Sequence, residues 1–178
     1  PDASHGTHVA GIIGAIRGND IPAEGIAPSV RIMAIRAVPN GDEHDKDVAN
    51  AIRYAVDNGA HIINMSFGKA YSPQKELVDA AVRYADERGV LMVHAAGNDG
   101  EDLAESPSFP SRDYLDGGRA SLWIGGGAAA RRAPDSLAAP FSNYGAAEVD
   151  LFAPGVDILS TYPHGKTRAQ QGTSMAAP

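Results

Sequence analysis

The chain has 178 residues, 43% of them hydrophobic and 21% charged, with 20 Gly and 12 Pro, a composition that supports a folded core and excludes a disordered segment. A net charge of −7 with no basic run longer than Arg131-Arg132 excludes a nucleic-acid groove, which needs clustered cations to displace counterions. The absence of Cys excludes disulfide scaffolds, zinc–thiolate sites and thiol nucleophiles, and no apolar stretch is long enough to span a bilayer.

In chain order, the first predicted element is a helix in "SHGTHVAGIIGA", which begins at Ser4 and places Val9, Ile12, Ile13 and Ile16 on one face. Small residues at Gly6, Ala10, Gly11 and Gly14 let it pack closely. "VRIMAIRAV" (30–38) is rich in β-branched residues and reads as a buried strand. In "DVANAIRYAVDNG", Val48, Ala51, Ile52, Ala55 and Val56 fall at helical spacing, with Gly59 as the stop. "HIINMSFG" is the next strand. "SPQKELVDAAVRYADERG" is the next helix, predicted to open with Ser72 as N-cap and Pro73 at the first helical position, and to stop at Gly89. "VLMVHAAG" and "ASLWIGGG" follow as strands, and "EVDLFAPGVDILSTYP" as two strand pieces joined at Pro154-Gly155. Alternation of strands and helices over short links predicts an α/β fold with a mostly parallel sheet covered by helices on both faces, three layers in all. Residues 99–120 and 128–146 read as long surface loops.

Three stretches can carry chemistry. His5 and His8 sit three apart at a helix start. One of them can serve as a general base, the pair can bind a metal through a shared helix face, or both can simply be polar residues of a first turn. Neither an acidic residue nor a third His stands beside them in the pattern. Asn98 of "HAAGNDG" follows a buried strand, at the end where ligands bind in open α/β sheets. Its amide can donate to a developing oxyanion or belong to an ordinary turn. Ser174 of "QQGTSMAAP" opens a small-residue helix, as a nucleophile near unpaired backbone N–H groups or as a plain N-cap.

"HGTHVAG", "AAGN" and "GTSMAAP" occur in that order, accompanied by "GIAPSVRIMAIRAV", "IINMSFG", "FSNYG" and "VDLFAPGVDILST". Together they identify the sequence as similar to the subtilisin-like serine proteases, the subtilases. The resemblance implies that the fold is subtilisin-like. It makes His5 the general base, His8 structural, Ser174 the nucleophile, and Asn98 with the Ser174 N–H the oxyanion donors. It also implies that Ser66, Phe67 and Gly68 pair with the substrate backbone, and that Ala96 and Gly97 form a wall of the specificity pocket.

The family order is Asp, His, Ser. Only Asp2 precedes His5, too close in sequence to lie on a separate strand. The expectation is therefore a partial peptidase domain over residues 1–178, lacking the upstream Asp strand and the helix after the nucleophile. Such a segment alone is expected to fold poorly and to be nearly inactive. The alternative is a non-catalytic subtilase-like binding module.

The implied partners are polypeptide substrates and an N-terminal propeptide outside the chain, and the implied location is secreted or cell-envelope. No cofactor is required. Structural calcium is left open: Asn19, Asp20 and Glu24 in "RGNDIPAEG" supply oxygen donors, and no residue is assigned to it. The acidic stretch "NGDEHDKD" (40–47) suggests a preference for basic substrate residues away from the cleaved bond, against the plainer reading of a solvated loop that caps the next helix.

Overall fold

The computed structural model describes residues 3–38, 41–130 and 137–178. Four helices and six strands are present among them: α1 (Ser4–Gly14), α2 (Asp45–Asp57), β1 (Ile62–Met65), α3 (Lys75–Glu87), β2 (Leu91–Ala95), β3 (Trp123–Ala129), β4 (Leu151–Pro154), β5 (Ile158–Tyr162), β6 (Lys166–Gln170) and α4 (Thr173–Ala176). Strands β1 to β4 form one parallel sheet in sequential order. Strands β5 and β6 form a separate antiparallel hairpin.

The core lies between this sheet and the pair α2–α3. Val48 and Ile52 of α2 and Val78, Ala81, Val82 and Ala85 of α3 meet Met65, Met92 and Trp123 of the strands. Strand alternation sends Val93 and Ile124 to the opposite face, where they share a groove with Met175, Ala176 and Ala177 around α4. Helices therefore flank both faces, as the strand–helix alternation predicts. The stops at Gly59 and Gly89 also hold, with φ of 81° and 73°, the left-handed conformation that closes a helix.

Four expectations change. Residues 31–38 carry no strand: they have no ladder partner among the described residues, and Val30, Ile32 and Met33 are exposed. Apolar β-branched residues become a strand only when a neighbour takes their amides, and β1 pairs with β2 alone. Helix α1 stops at Gly14, leaving Ile16 67% exposed. The carbonyls of Ile12, Ile13 and Ala15 accept from the N–H groups of Ile26, Ala27 and Gly25, which takes the place of a further helical turn.

Helix α3 begins at Lys75 with Gln74 as its N-cap, so Ser72 does not cap it. The Ser72 hydroxyl donates instead to Asp45 Oδ1 at 2.9 Å. Finally, the two pieces around Pro154-Gly155 enter different sheets, because β5 turns away to pair with β6, a strand the sequence pattern did not indicate. His164 and Gly165, both at positive φ, make that turn.

The hairpin matters because it holds α1. Ser160 Oγ donates to the His8 carbonyl at 2.7 Å and Thr161 Oγ1 to the Thr7 carbonyl at 2.8 Å. Gly11 faces the same two side chains so closely that a Cβ there would overlap Thr161 Oγ1 and Ser160 Oγ. Gly11 and Gly14 thus serve close packing, as expected, whereas Gly6 faces open space.

Candidate active site

The chain's two ends meet at one cleft of about 560 Å³, lined among others by His5, Asn98, Arg168, Gly172 and Ser174. Each comes from a different part of the fold. His5 lies in the first turn of α1, Asn98 three residues past β2, Arg168 on β6, and Ser174 in the first turn of α4. The Asn98 loop leaves the carboxyl end of its strand, where an open parallel sheet leaves room for ligands.

His8, four-fifths of a turn further along α1, is fully buried, and its Nε2 donates to the Arg168 carbonyl at 2.9 Å. It anchors α1 to the hairpin and so fixes where His5 stands. Burial, and secondarily the neighbouring His8, lower the His5 pKa from the ordinary imidazole value. A neutral imidazole is the form that can accept a proton.

The Ser174 hydroxyl donates to the Ser66 carbonyl at 3.1 Å, while Ser66 Oγ donates to the Ser174 carbonyl at 2.9 Å. Asn64 Nδ2 donates to Ser66 Oγ at 2.9 Å and fixes that hydroxyl in turn. The Ser174 N–H has no backbone partner among the described residues. Asn98 Oδ1 accepts from the Thr173 N–H at 2.8 Å and from Thr173 Oγ1 at 3.1 Å. With its oxygen held this way, the Asn98 amide has its NH₂ donors left over at the cleft. Thr173 is fully buried, and its Oγ1 also accepts from the Gly97 N–H at 3.1 Å.

The segment Ser66 to Gly68 continues β1 past its last ladder residue. Both of its edge groups are engaged: Ser66 O by the Ser174 hydroxyl and the Gly68 N–H by Glu43 Oε1 at 3.1 Å. The Phe67 carbonyl accepts from Nε2 of the buried His94 at 2.8 Å. Ala96 is buried and Gly97 half-buried beside Asn98.

In the acidic stretch, Asp45 is 4% exposed and binds Lys69, Ser72 and the Gln74 N–H, so it serves structure. It braces the turn before α3 and makes no side-chain cap on α2. Asp47 pairs with the exposed Lys46. Glu43 stays next to the Ser66–Gly68 segment; burial pushes its carboxyl up against the opposing pull of the Gly68 N–H and Lys69.

Asp2 lies outside the described residues, as do Asn40 and Arg131-Arg132. No acidic residue lines the cleft among those described. For calcium, Asn19 Oδ1 accepts from the Ile21 N–H and Glu24 Oε1 from the Gly18 N–H. No group of three or more His, Asp or Glu that would hold a metal occurs among the described residues.

Sequence reasoning missed Thr173, Asn143 and Arg168 as parts of the site. Thr173 and Asn143 stand inside the quoted motifs "GTSMAAP" and "FSNYG", but their contacts are long-range and carry no periodic signal.

Comparison with known proteins agrees with this architecture. The Subtilase family model (Peptidase_S8) matches residues 1–178. The chain is 42% identical over 176 residues to a thermophilic serine proteinase of Bacillus sp. (strain AK1), covering 98% of this chain and 40% of that protein. It is 38% identical over 175 residues to subtilisin Savinase of Lederbergia lenta, covering 98% and 59%. Among solved structures, the S41 psychrophilic protease superposes with a TM-score of 0.81 at 30% identity, covering 98% of this chain and 59% of that one. A cold-adapted subtilisin-like serine proteinase gives 0.77 at 33%, covering 98% and 57%. The chain thus spans about half the length of the relatives it matches, and with a family match over every one of its residues it belongs to the subtilases.

Proposed function

We propose that this chain forms the reaction centre of a serine endopeptidase acting on polypeptides. The observation that carries the reading is the shared cleft: His5 and Ser174 stand at opposite ends of the sequence, yet they line one cavity together with Asn98. In this reading the Ser174 hydroxyl turns from the Ser66 carbonyl to His5. His5 takes its proton as Ser174 Oγ attacks the scissile carbonyl. The oxyanion of the tetrahedral intermediate accepts from Asn98 Nδ2 and the Ser174 N–H. The intermediate collapses as the C–N bond breaks and His5 protonates the leaving amine. Water, deprotonated by His5, then attacks the acyl-enzyme; the free acid leaves and Ser174 regains its proton.

The Ser66 carbonyl freed by Ser174 becomes an acceptor for a substrate N–H. Ser66, Phe67 and Gly68 would then hold an extended peptide as a neighbouring strand, with Ala96 and Gly97 walling the pocket beside it. Export from the cell and a propeptide partner belong to the same reading, as does the absence of any required cofactor. No helix among the described residues is long and apolar enough to cross a membrane.

The test is reaction of the full-length protein with a fluorophosphonate probe, which labels only an activated serine. Label is expected on Ser174, lost in Ser174→Ala, and strongly reduced in His5→Ala. Peptide turnover should fall by about 10⁶ in either variant, the magnitude known from subtilisin itself. A protein that binds peptides but takes no label is a binding module instead.

A further inference from the structure

Asn143 lies in the loop after β3, 45 residues from Asn98, and is 4% exposed. Its side chain spends itself wholly on the loop that carries Asn98. Nδ2 donates to the Ala96 carbonyl at 3.1 Å. Oδ1 accepts from the Asp99 N–H at 2.9 Å and the Glu101 N–H at 3.1 Å. The Asn143 N–H donates to the Gly97 carbonyl at 3.0 Å. The residues on both sides of Asn98 are therefore tied to one buried amide.

Gly97 shows how close that grip is. Its φ is 107°, and a Cβ there would run into Asn143 Nδ2. On the other side of the loop, Thr173 fixes Asn98 Oδ1. Only an amide carries a donor and a two-lone-pair acceptor in one plane, so Asp, Ser or Leu at this place cannot satisfy all three partners.

We propose that Asn143 is a positioning residue for the oxyanion donor: it sets the backbone from Ala96 to Glu101 so that Asn98 Nδ2 meets the charge that develops in the transition state. The assignment rests on the protease reading above. A donor aimed beforehand contributes only where charge appears, so its misplacement lowers turnover more than substrate binding.

The test is a double-mutant cycle in the full-length enzyme with a chromogenic peptide. Asn143→Ala should lower kcat about 10- to 100-fold with KM within about twofold, a smaller loss than the about 10²- to 10³-fold known from subtilisin for removing the side-chain donor outright. In an Asn98→Ala background the same Asn143→Ala change should cost less than about threefold, because the donor it positions is already gone. Equal losses in the two backgrounds, or a loss in KM alone, would overturn the assignment.

Should Asn143→Ala not fold, Asn143→Asp keeps the size and an acceptor for the Asp99 and Glu101 N–H groups, and sets a charged oxygen against the Ala96 carbonyl in place of the donor. It should show the same dependence on Asn98, and wild-type kcat in that variant would also overturn the assignment. Fluorophosphonate labelling of the wild type separates the two levels. No label sinks the protease reading and this role with it, whereas labelling with an additive cycle sinks the Asn143 role alone.

Discussion

Asn143 and Ser174 illustrate at the residue scale how few side chains decide this site. Ser174 has its hydroxyl parked on a carbonyl, and His5 lines the same cleft. On the proposed mechanism, the state of His5 governs rate. Burial comes first among the causes that lower its pKa, and the nearby His8 adds to it. A general base works only when unprotonated, so kcat/KM should rise with pH and level off once His5 is neutral. With burial and His8 as the only influences, the midpoint of that rise should fall below the unperturbed imidazole value of about 6.5, and a carboxylate from the upstream strand would move it up. A pH profile of kcat/KM for a neutral peptide checks this, and a midpoint above about 7 would show that a carboxylate, rather than burial, sets the His5 ionisation.

Among the elements, the connection from β1 to α3 is held by a buried carboxylate at the start of α2. Asp45, at the first position of α2, reaches Lys69 Nζ at 2.6 Å, Ser72 Oγ at 2.9 Å and the Gln74 N–H at 2.7 Å. Lys69 also donates to the Glu43 carbonyl at 2.9 Å. This ties α2 to the segment just beyond Ser66–Gly68. Asp45→Ala would leave the Lys69 ammonium, itself 20% exposed, without its carboxylate, and the expected cost is about 2–4 kcal/mol by urea unfolding. Lys69→Met in the Asp45→Ala background should restore part of that loss, since an apolar side chain leaves no unpaired charge.

The same segment shows what the sequence could and could not tell. Helices α2 and α3 were legible because their apolar residues recur at 3.6-residue spacing and glycines close them. The start of α3 was not, because Ser72 was drawn to Asp45, 27 residues away. Likewise β6 has no apolar alternation to announce it; it exists because β5 offers it a ladder and Gly165 a turn. His5, Asn98 and Ser174 could be read from short motifs. Thr173, Asn143 and Arg168 could not be assigned work, since what they do depends on partners 42 to 160 residues distant that only folding supplies.

For the molecule as a whole, acid should act first through an imidazole that is not in the cleft. His94, on β2, is 5% exposed and packs against Trp123, with ring centroids 5.5 Å apart. Its Nε2 donates to the Phe67 carbonyl at 2.8 Å. Burial lowers its pKa to about 4, against the smaller opposing effect of the Phe67 hydrogen bond. An imidazole exposed by unfolding binds its proton near the ordinary value of about 6.5, so between the two pKa values the unfolded chain carries more protons at this site. The stability this group contributes is therefore complete above about pH 6.5 and drains away as the pH falls toward about 4, in total about 3 kcal/mol. The carbonyl released is that of Phe67, so loosening begins beside the Ser66–Gly68 segment under Ser174. Urea unfolding of the full-length protein at about pH 7.5 and about pH 4.5, compared with His94→Gln, isolates the contribution. Gln can still donate to Phe67 but takes up no proton, so the variant should be less stable at the higher pH and should lose about 2–3 kcal/mol less than the wild type on acidification. Parallel losses in the two proteins would mean that His94 is not the group through which acid opens the core.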